Sequence, residues 1–283
     1  MNPERFPQRI VCLTEETTEV LYLLGEESRI VGVSGFTARP PEARRKPKVS
    51  AFTTARYDRI LALEPDLVLG FSNLQAEIAR ELIARGLNVL VFNQRSVAEI
   101  LQMILAVARL VGAGARGEPL IERLSHGLTS IAESAARFPR RPRVFFEEWN
   151  DPLISGIRWV DELLEIAGGL PLFPELRARH DAKDRIVEPA AVRERDPEVV
   201  IASWCGRKVN KAAIRARPGW DGIRHVYEIK STYILQPGPA ALTEGVRQLH
   251  AILAHAAGSP VEPDLQPAER VDPDLRESRD SIN

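Results

Sequence analysis

Apolar and polar positions follow two rhythms along this chain, and one compound phrase that carries both occurs twice. Residues 57–71 read YDRILALEPDLVLGF and residues 191–203 read AVRERDPEVVIAS. In each, a short amphipathic helical pattern runs into an acidic residue, a proline, a second acidic residue and then an unbroken apolar run. Pro65 and Pro197 disfavour the α conformation at the residue before them, so each helix is predicted to stop there. Leu67-Val68-Leu69 and Val199-Val200-Ile201 lack polar alternation, as suits a strand buried on both faces of a parallel sheet. Two such helix-into-strand units, half a chain apart, predict two similar α/β lobes.

The remaining periodicity fills in each lobe. A strand is predicted over 9–13, followed by a helix that Thr14 caps, with Glu15 and Glu16 at the positive end of its dipole and Gly25 as its stop. Strands over 30–34 and 88–92, a helix over 74–85 ended by Gly86 and a helix over 96–111 complete the first lobe, with the proline- and charge-rich segment 39–48 as a loop. Leu120, Leu124, Leu128 and Ile131 form one stripe, which predicts a single long helix over 118–138 joining the halves. The second lobe takes a strand over 143–146, a helix over 159–167 stopped by Gly168-Gly169, a strand over 226–229 and a last helix over 240–255. The division is therefore 8–112 for the first lobe, 113–140 for the bridging segment and 141–256 for the second lobe. Residues 257–283, rich in proline and charge, read as a disordered tail.

Composition narrows the function classes. The chain has 283 residues, 44% hydrophobic and 27% charged, with 38 basic against 39 acidic side chains, so no excess charge steers it toward nucleic acid or an anionic membrane. Its two cysteines, Cys12 and Cys205, fall in different lobes outside any CxxC pair and are expected as free buried thiols. The five histidines are scattered, which argues against a metal clamp, and no metal ligands are assigned. The first residues carry no apolar run of signal-peptide length and no later stretch approaches a membrane span. As written the sequence reads as cytoplasmic, and as periplasmic or otherwise extracytoplasmic if the start lies upstream.

The motifs RIVCLTEETTEVLYLLG, RIVGVS before a Pro-Pro loop, VSAFTTARYDRILALEPDLVLGF and ELLEIAGG occur in an order that resembles the helix-linked (class III) ABC-transporter substrate-binding proteins. Members of that group carry cobalamin, ferric siderophores, haem and certain metal ions. The resemblance covers about residues 9–256, and FFEEWNDPLISGIRWVDELLEIAGG is most similar to the cobalamin-binding branch. It implies an α/β fold of two Rossmann-like lobes joined by a single long α-helix, with the ligand in the cleft between the lobes. It further implies a non-catalytic solute-binding protein with no required cofactor, cobalamin or another corrinoid being the first candidate ligand.

In such a fold the ligand meets loops after the carboxyl ends of the strands. The positions that match those loops are Thr14, Glu15, Phe52, Thr53, Phe71, Ser72, Asn73, Gln94, Glu148, Trp149, His180, Trp204, Cys205 and Gln236. Phe71 and Trp204 follow predicted strands directly and are assigned to the cleft ahead of the core, whereas Phe52 and Trp149 fit either place. These rings supply flat area on which a corrin or porphyrin can stack. Glu147 and Glu148 alternate across a strand and so form no acid–base pair; one is expected solvated and the other bonded to ligand or to the turn 150–152. His180, in a loop bordering the cleft, is the candidate to reach a cobalt or haem iron. The resemblance places an axial tyrosine of haem binders near Ala51-Phe52, and phenylalanine cannot ligate iron, so cobalamin ranks ahead of haem.

The resemblance also implies one exposed glutamate per lobe for docking on an ABC permease. Glu77 matches in the first lobe, but segment 203–222 has no glutamate and carries Arg207, Lys208, Lys211, Arg215 and Arg217. That argues against the usual two-carboxylate contact. Alternatives are a ferric-siderophore or haem binder, or an intracellular enzyme or ligand-handling protein on the same frame with Glu148, His180 and Cys205 as its polar groups. Neither nucleic-acid partners nor membrane insertion are expected.

Overall fold

The computed structural model describes residues 6–269 and 271–272. In chain order the first part contains β1 (Ile10–Cys12), α1 (Glu15–Leu23), β2 (Ile30–Ser34), β3 (Lys48–Ser50), α2 (Tyr57–Ala62), β4 (Leu67–Phe71), α3 (Ala76–Ala84), β5 (Val89–Phe92) and α4 (Val97–Leu110). After α5 (Gly114–Ala135) come β6 (Arg143–Asn150), β7 (Leu153–Ser155), α6 (Arg158–Ile166), β8 (Leu170–Pro171) and α7 (Pro189–Glu194). The chain continues with β9 (Val199–Ala202), α8 (Lys211–Arg215), β10 (His225–Glu228), α9 (Ser231–Ile234) and α10 (Val246–Ala257). One five-stranded sheet runs β3-β2-β1-β4-β5, all parallel. The other runs β10-β9-β6-β7, with β8 also on β6 and only β7 antiparallel.

The duplicated phrase has the same anatomy in both sheets. α2 feeds β4 and α7 feeds β9, and both strands are buried along their whole length. The residues before the prolines, Glu64 and Asp196, have φ of 44° and 51°, the left-handed conformation in which a helix commonly ends but which a residue with a Cβ adopts at a cost. The acid after each proline caps the neighbouring strand, since Asp66 accepts from the Arg9 N–H at 3.0 Å and Glu198 from the Arg143 N–H at 3.0 Å. Those two arginines return the contact: Arg9 Nε donates to the Leu63 carbonyl at 3.0 Å and Arg143 Nε to the Asp196 carbonyl at 2.7 Å. Each phrase thus needs an arginine about fifty residues upstream, which satisfies the carbonyls left open at the helix end.

Two compact units emerge, and the boundary falls inside α5, between Arg123 and Leu124. α5 starts four residues earlier than Glu118 because Pro119 lies in its second turn, where it removes about one backbone hydrogen bond without ending the helix. Unit 1 also takes in Pro237–Pro239, and unit 2 takes in Arg95–Val97. The first of these segments is held by Gln94 Nε2 donating to the Pro237 carbonyl at 3.0 Å, and the second by the Val97 N–H donating to Glu162 at 2.7 Å. The core of unit 1 includes Val11, Leu13, Ile60, Val68 and Leu82, and that of unit 2 includes Phe145, Val200, Trp204, Ile214 and Trp220.

The segment read as a disordered tail packs on unit 2 as far as it is described. Leu265 is buried, Glu244 accepts from the N–H groups of Ala268 and Glu269, and Asp272 accepts from Lys211 Nζ and the Glu228 N–H. Composition misled here because a few specific anchors replace a hydrophobic face. Residues 273–283 lie outside the described residues. Strands β3, β7 and β8 are too short to leave a periodic signal, and β6 runs to Asn150 because β7 turns back along it through Asp151-Pro152.

Candidate functional site

The carboxyl ends of the parallel strands of unit 1 carry polar and aromatic loop residues. In unit 1, β1 delivers Thr14 and Glu15, β3 delivers Phe52 and Thr53, β4 delivers Phe71, Ser72 and Asn73, and β5 delivers Gln94. The rings of Phe52 and Phe71 lie 6.4 Å apart at 41°. Phe52 is half-buried, Thr53 and Asn73 are exposed, and Phe71 is mostly buried. Ser72 has φ of 79° and its hydroxyl oxygen accepts from the Leu74 N–H, which starts the turn into α3. A concavity of about 620 Å³ runs along α3 and shares Ser72 and Asn73 with this set, while its other lining residues include Ala76, Ala79 and Ile83 rather than the two rings.

Two acids at the start of α1 are committed to the protein. Thr14 makes no side-chain cap; its hydroxyl donates to Glu16 Oε1 at 2.5 Å. Glu15 Oε1 accepts from the N–H groups of Ala38 and Arg39, each at 3.0 Å, so the expected ligand contact instead anchors the loop after β2. The second oxygens, Glu15 Oε2 and Glu16 Oε2, are buried with no hydrogen-bond partner. Burial pushes both carboxyls up to about 7, against the hydrogen bonds that favour the charged form.

Unit 2 corrects several expectations. Trp204 is 4% exposed within the core and its Nε1 donates to Glu147 Oε1 at 3.1 Å, so it faces inward. Glu147, 0% exposed, also takes both Arg217 nitrogens at 2.5 and 3.0 Å; burial pushes its carboxyl up despite that pairing. Glu148 is clasped by Arg185 at 2.6 and 3.2 Å, and Arg185 Nη1 reaches the Ser155 carbonyl as well. Glu147 is fully buried whereas the Glu148 side chain keeps 20% exposure, and each meets an arginine that is distant in sequence. Trp149 is half-buried, donates from Nε1 to the Asp151 carbonyl at 3.0 Å and carries the Arg207 guanidinium 5.5 Å over its ring. His180 is exposed on the loop before the turn Ala182–Arg185, and Gln236 is half-buried. Cys205 is exposed rather than buried; Cys12 is buried, its thiol pushed up to about 12 by burial.

The basic segment is less cationic than its composition suggests. Arg217 is spent on Glu147 and Lys211 pairs with Asp272 at 2.6 Å. Glu77 lies on α3 with its side chain 81% exposed, paired with Arg80 at 3.0 Å. The partners of three structurally central residues, Gln75, Arg185 and Arg217, carried no sequence signal, since a polar side chain among surface-like neighbours does not announce a buried partner. Among the described residues no three His, Cys, Asp or Glu side chains gather to hold a metal ion, and no helix is long and apolar enough to cross a membrane.

Comparison with known proteins supplies the family. A vitamin B12-binding protein of Vibrio parahaemolyticus is 24% identical over 247 residues, 83% of this chain and 86% of that one. An uncharacterised ABC transporter substrate-binding lipoprotein of Bacillus subtilis is 25% identical over 261 residues, 86% of this chain and 79% of its own. A periplasmic haem-binding protein of Pseudomonas aeruginosa shares the fold at a TM-score of 0.79 and 21% identity, covering 94% of this chain and 98% of that one. The periplasmic vitamin B12-binding protein of Vibrio cholerae does so at 0.70 and 22%, covering 88% and 98%. The sequence model of the periplasmic binding proteins matches residues 10–233, which takes in both sheets, and this chain belongs to that family.

Proposed function

We propose that the solute bound by this periplasmic-binding-type protein is a corrinoid, cobalamin first, held without catalysis. The observation that carries the reading is the Phe52–Phe71 pair at the carboxyl ends of β3 and β4, a tilted aromatic surface suited to the flat face of a macrocycle. The vitamin B12-binding relatives support the same ligand. Trp149 with Arg207 over its ring gives unit 2 an aromatic group beside a cation, and this observation favours a second reading, a ligand with carboxylates such as haem or a carboxylate siderophore. An enzyme on this frame finds no free acid in Glu148, since both oxygens are bound by Arg185. The lipoprotein relative supports an extracytoplasmic place and a permease partner, for which Glu77 offers an exposed carboxylate.

Replacing Phe52 by leucine keeps apolar volume and removes the ring face. The variant is expected to bind cyanocobalamin ~3–10-fold more weakly by calorimetry, the worth of one aromatic contact. Glu77→Ala should bind as the parent does. Unchanged affinity in Phe52→Leu would remove the aromatic pair from the binding surface.

A further inference from the structure

Both ring-bearing loops of unit 1 rest on one fully buried side chain. Gln75 is 0% exposed; its Oε1 accepts from the Phe71 N–H at 3.0 Å and its Nε2 donates to the Phe52 carbonyl at 2.9 Å. One partner is an N–H and the other a C=O, so the amide fits in a single orientation. The backbone around it is shaped to admit that amide. A Cβ at Gly70 would stand 2.7 Å from Gln75 Oε1, which explains a glycine inside a buried strand. Ser72, at φ 79°, turns the chain sharply enough that the Gln75 N–H donates to its carbonyl at 3.0 Å and the side chain reaches back beneath Phe71. On the other side, Phe52 sits in a turn closed by the Ala51 N–H on the Thr54 carbonyl at 2.8 Å, and the Gln75 amide ties that turn to the end of β4.

We infer that Gln75 is a positioning residue for the bound solute, setting the separation and tilt of Phe52 and Phe71 and with them the aromatic surface that a flat ligand meets. The inference rests on the proposed ligand surface, but the clamp itself consists of contacts within the protein. Its two hydrogen bonds differ in kind, and this makes the role separable from mere stability. Gln75→Glu keeps an acceptor for Phe71. As a carboxylate it has no proton to donate to the Phe52 carbonyl, and as a neutral acid it regains one.

The experiment compares parent, Gln75→Glu and Gln75→Met at pH 5 and pH 8. Affinity is measured for cyanocobalamin and protoporphyrin IX, and the proximity of the Phe52 and Phe71 rings is measured by NMR without ligand. Relative to the parent at the same pH, Gln75→Glu is expected to bind ~3–10-fold more weakly at pH 8 and to recover at pH 5, with the two rings moving apart and together again in step. Gln75→Met should be weakened at both pH values; if it does not fold, the glutamate variant decides alone. Ring proximity and relative affinity that stay at the parent's level in Gln75→Glu at pH 8 would overturn the inference. If the parent binds neither probe, the ligand reading fails, and the NMR comparison of the rings still decides whether Gln75 holds them.

Discussion

Thermal unfolding of this protein should shift to lower temperature as the pH rises from 5 to 8, against the habit of proteins stabilised by paired carboxylates. Burial pushes Glu15, Glu16 and Asp161 up to about 7 in the folded chain. Their ordinary values are 4.5, 4.5 and 3.8. Between those limits the folded state binds more protons than the unfolded one, so stability falls with rising pH, and the penalty is complete above the folded values. At ~1.4 kcal/mol per pKa unit each group contributes on the order of 2–4 kcal/mol. His225 and His250, pushed down mainly by burial, act in the opposite sense, but only below about 6.5 where the unfolded imidazole takes a proton. Above that the carboxyls set the slope. Glu16→Gln removes one charge while keeping an acceptor for the Thr14 hydroxyl, and should raise the melting temperature at pH 8 by roughly 4–8 °C with little change at pH 5. A parent melting temperature that rises toward pH 8, with Glu16→Gln neutral throughout, would contradict this.

Arg217→Met should be among the most damaging single substitutions in unit 2. It leaves Glu147 at 0% exposure with the donor Trp204 Nε1 but no cation beside it. Removing one member of a buried pair costs about 3–5 kcal/mol because the other charge stays in a medium that cannot solvate it. Glu147 can escape by taking a proton, so the loss should be smaller at pH 5 than at pH 8. Replacing both partners, as in Glu147→Leu with Arg217→Met, should recover much of the stability. Denaturant unfolding of the three variants measures this cycle. Equal losses for single and double variants would show that Arg217 matters through its packing against Trp220, over whose ring it lies at 4.7 Å.

The duplicated phrase announced its helix stops and buried strands because proline and unbroken apolar runs act locally. Its capping role was hidden, since Asp66 and Glu198 act on Arg9 and Arg143, more than fifty residues away. Strand ends gave no facing: Phe52 follows β3 half-buried, Phe71 is the last, buried residue of β4, and Trp204, two residues past β9, turned into the core. Counting cations in 203–222 likewise missed that Arg217 is paired across seventy positions. Position along a strand is a local property, whereas the identity of a buried charge's partner is fixed only by the packed fold.

A spectroscopic titration of the purified protein with aquocobalamin, repeated with haem as competitor, is the most direct test of the ligand reading. Tryptophan fluorescence is expected to be quenched, saturably at micromolar concentrations, with haem displacing cobalamin only in large excess. Saturable haem binding with no response to cobalamin at tens of micromolar would contradict it.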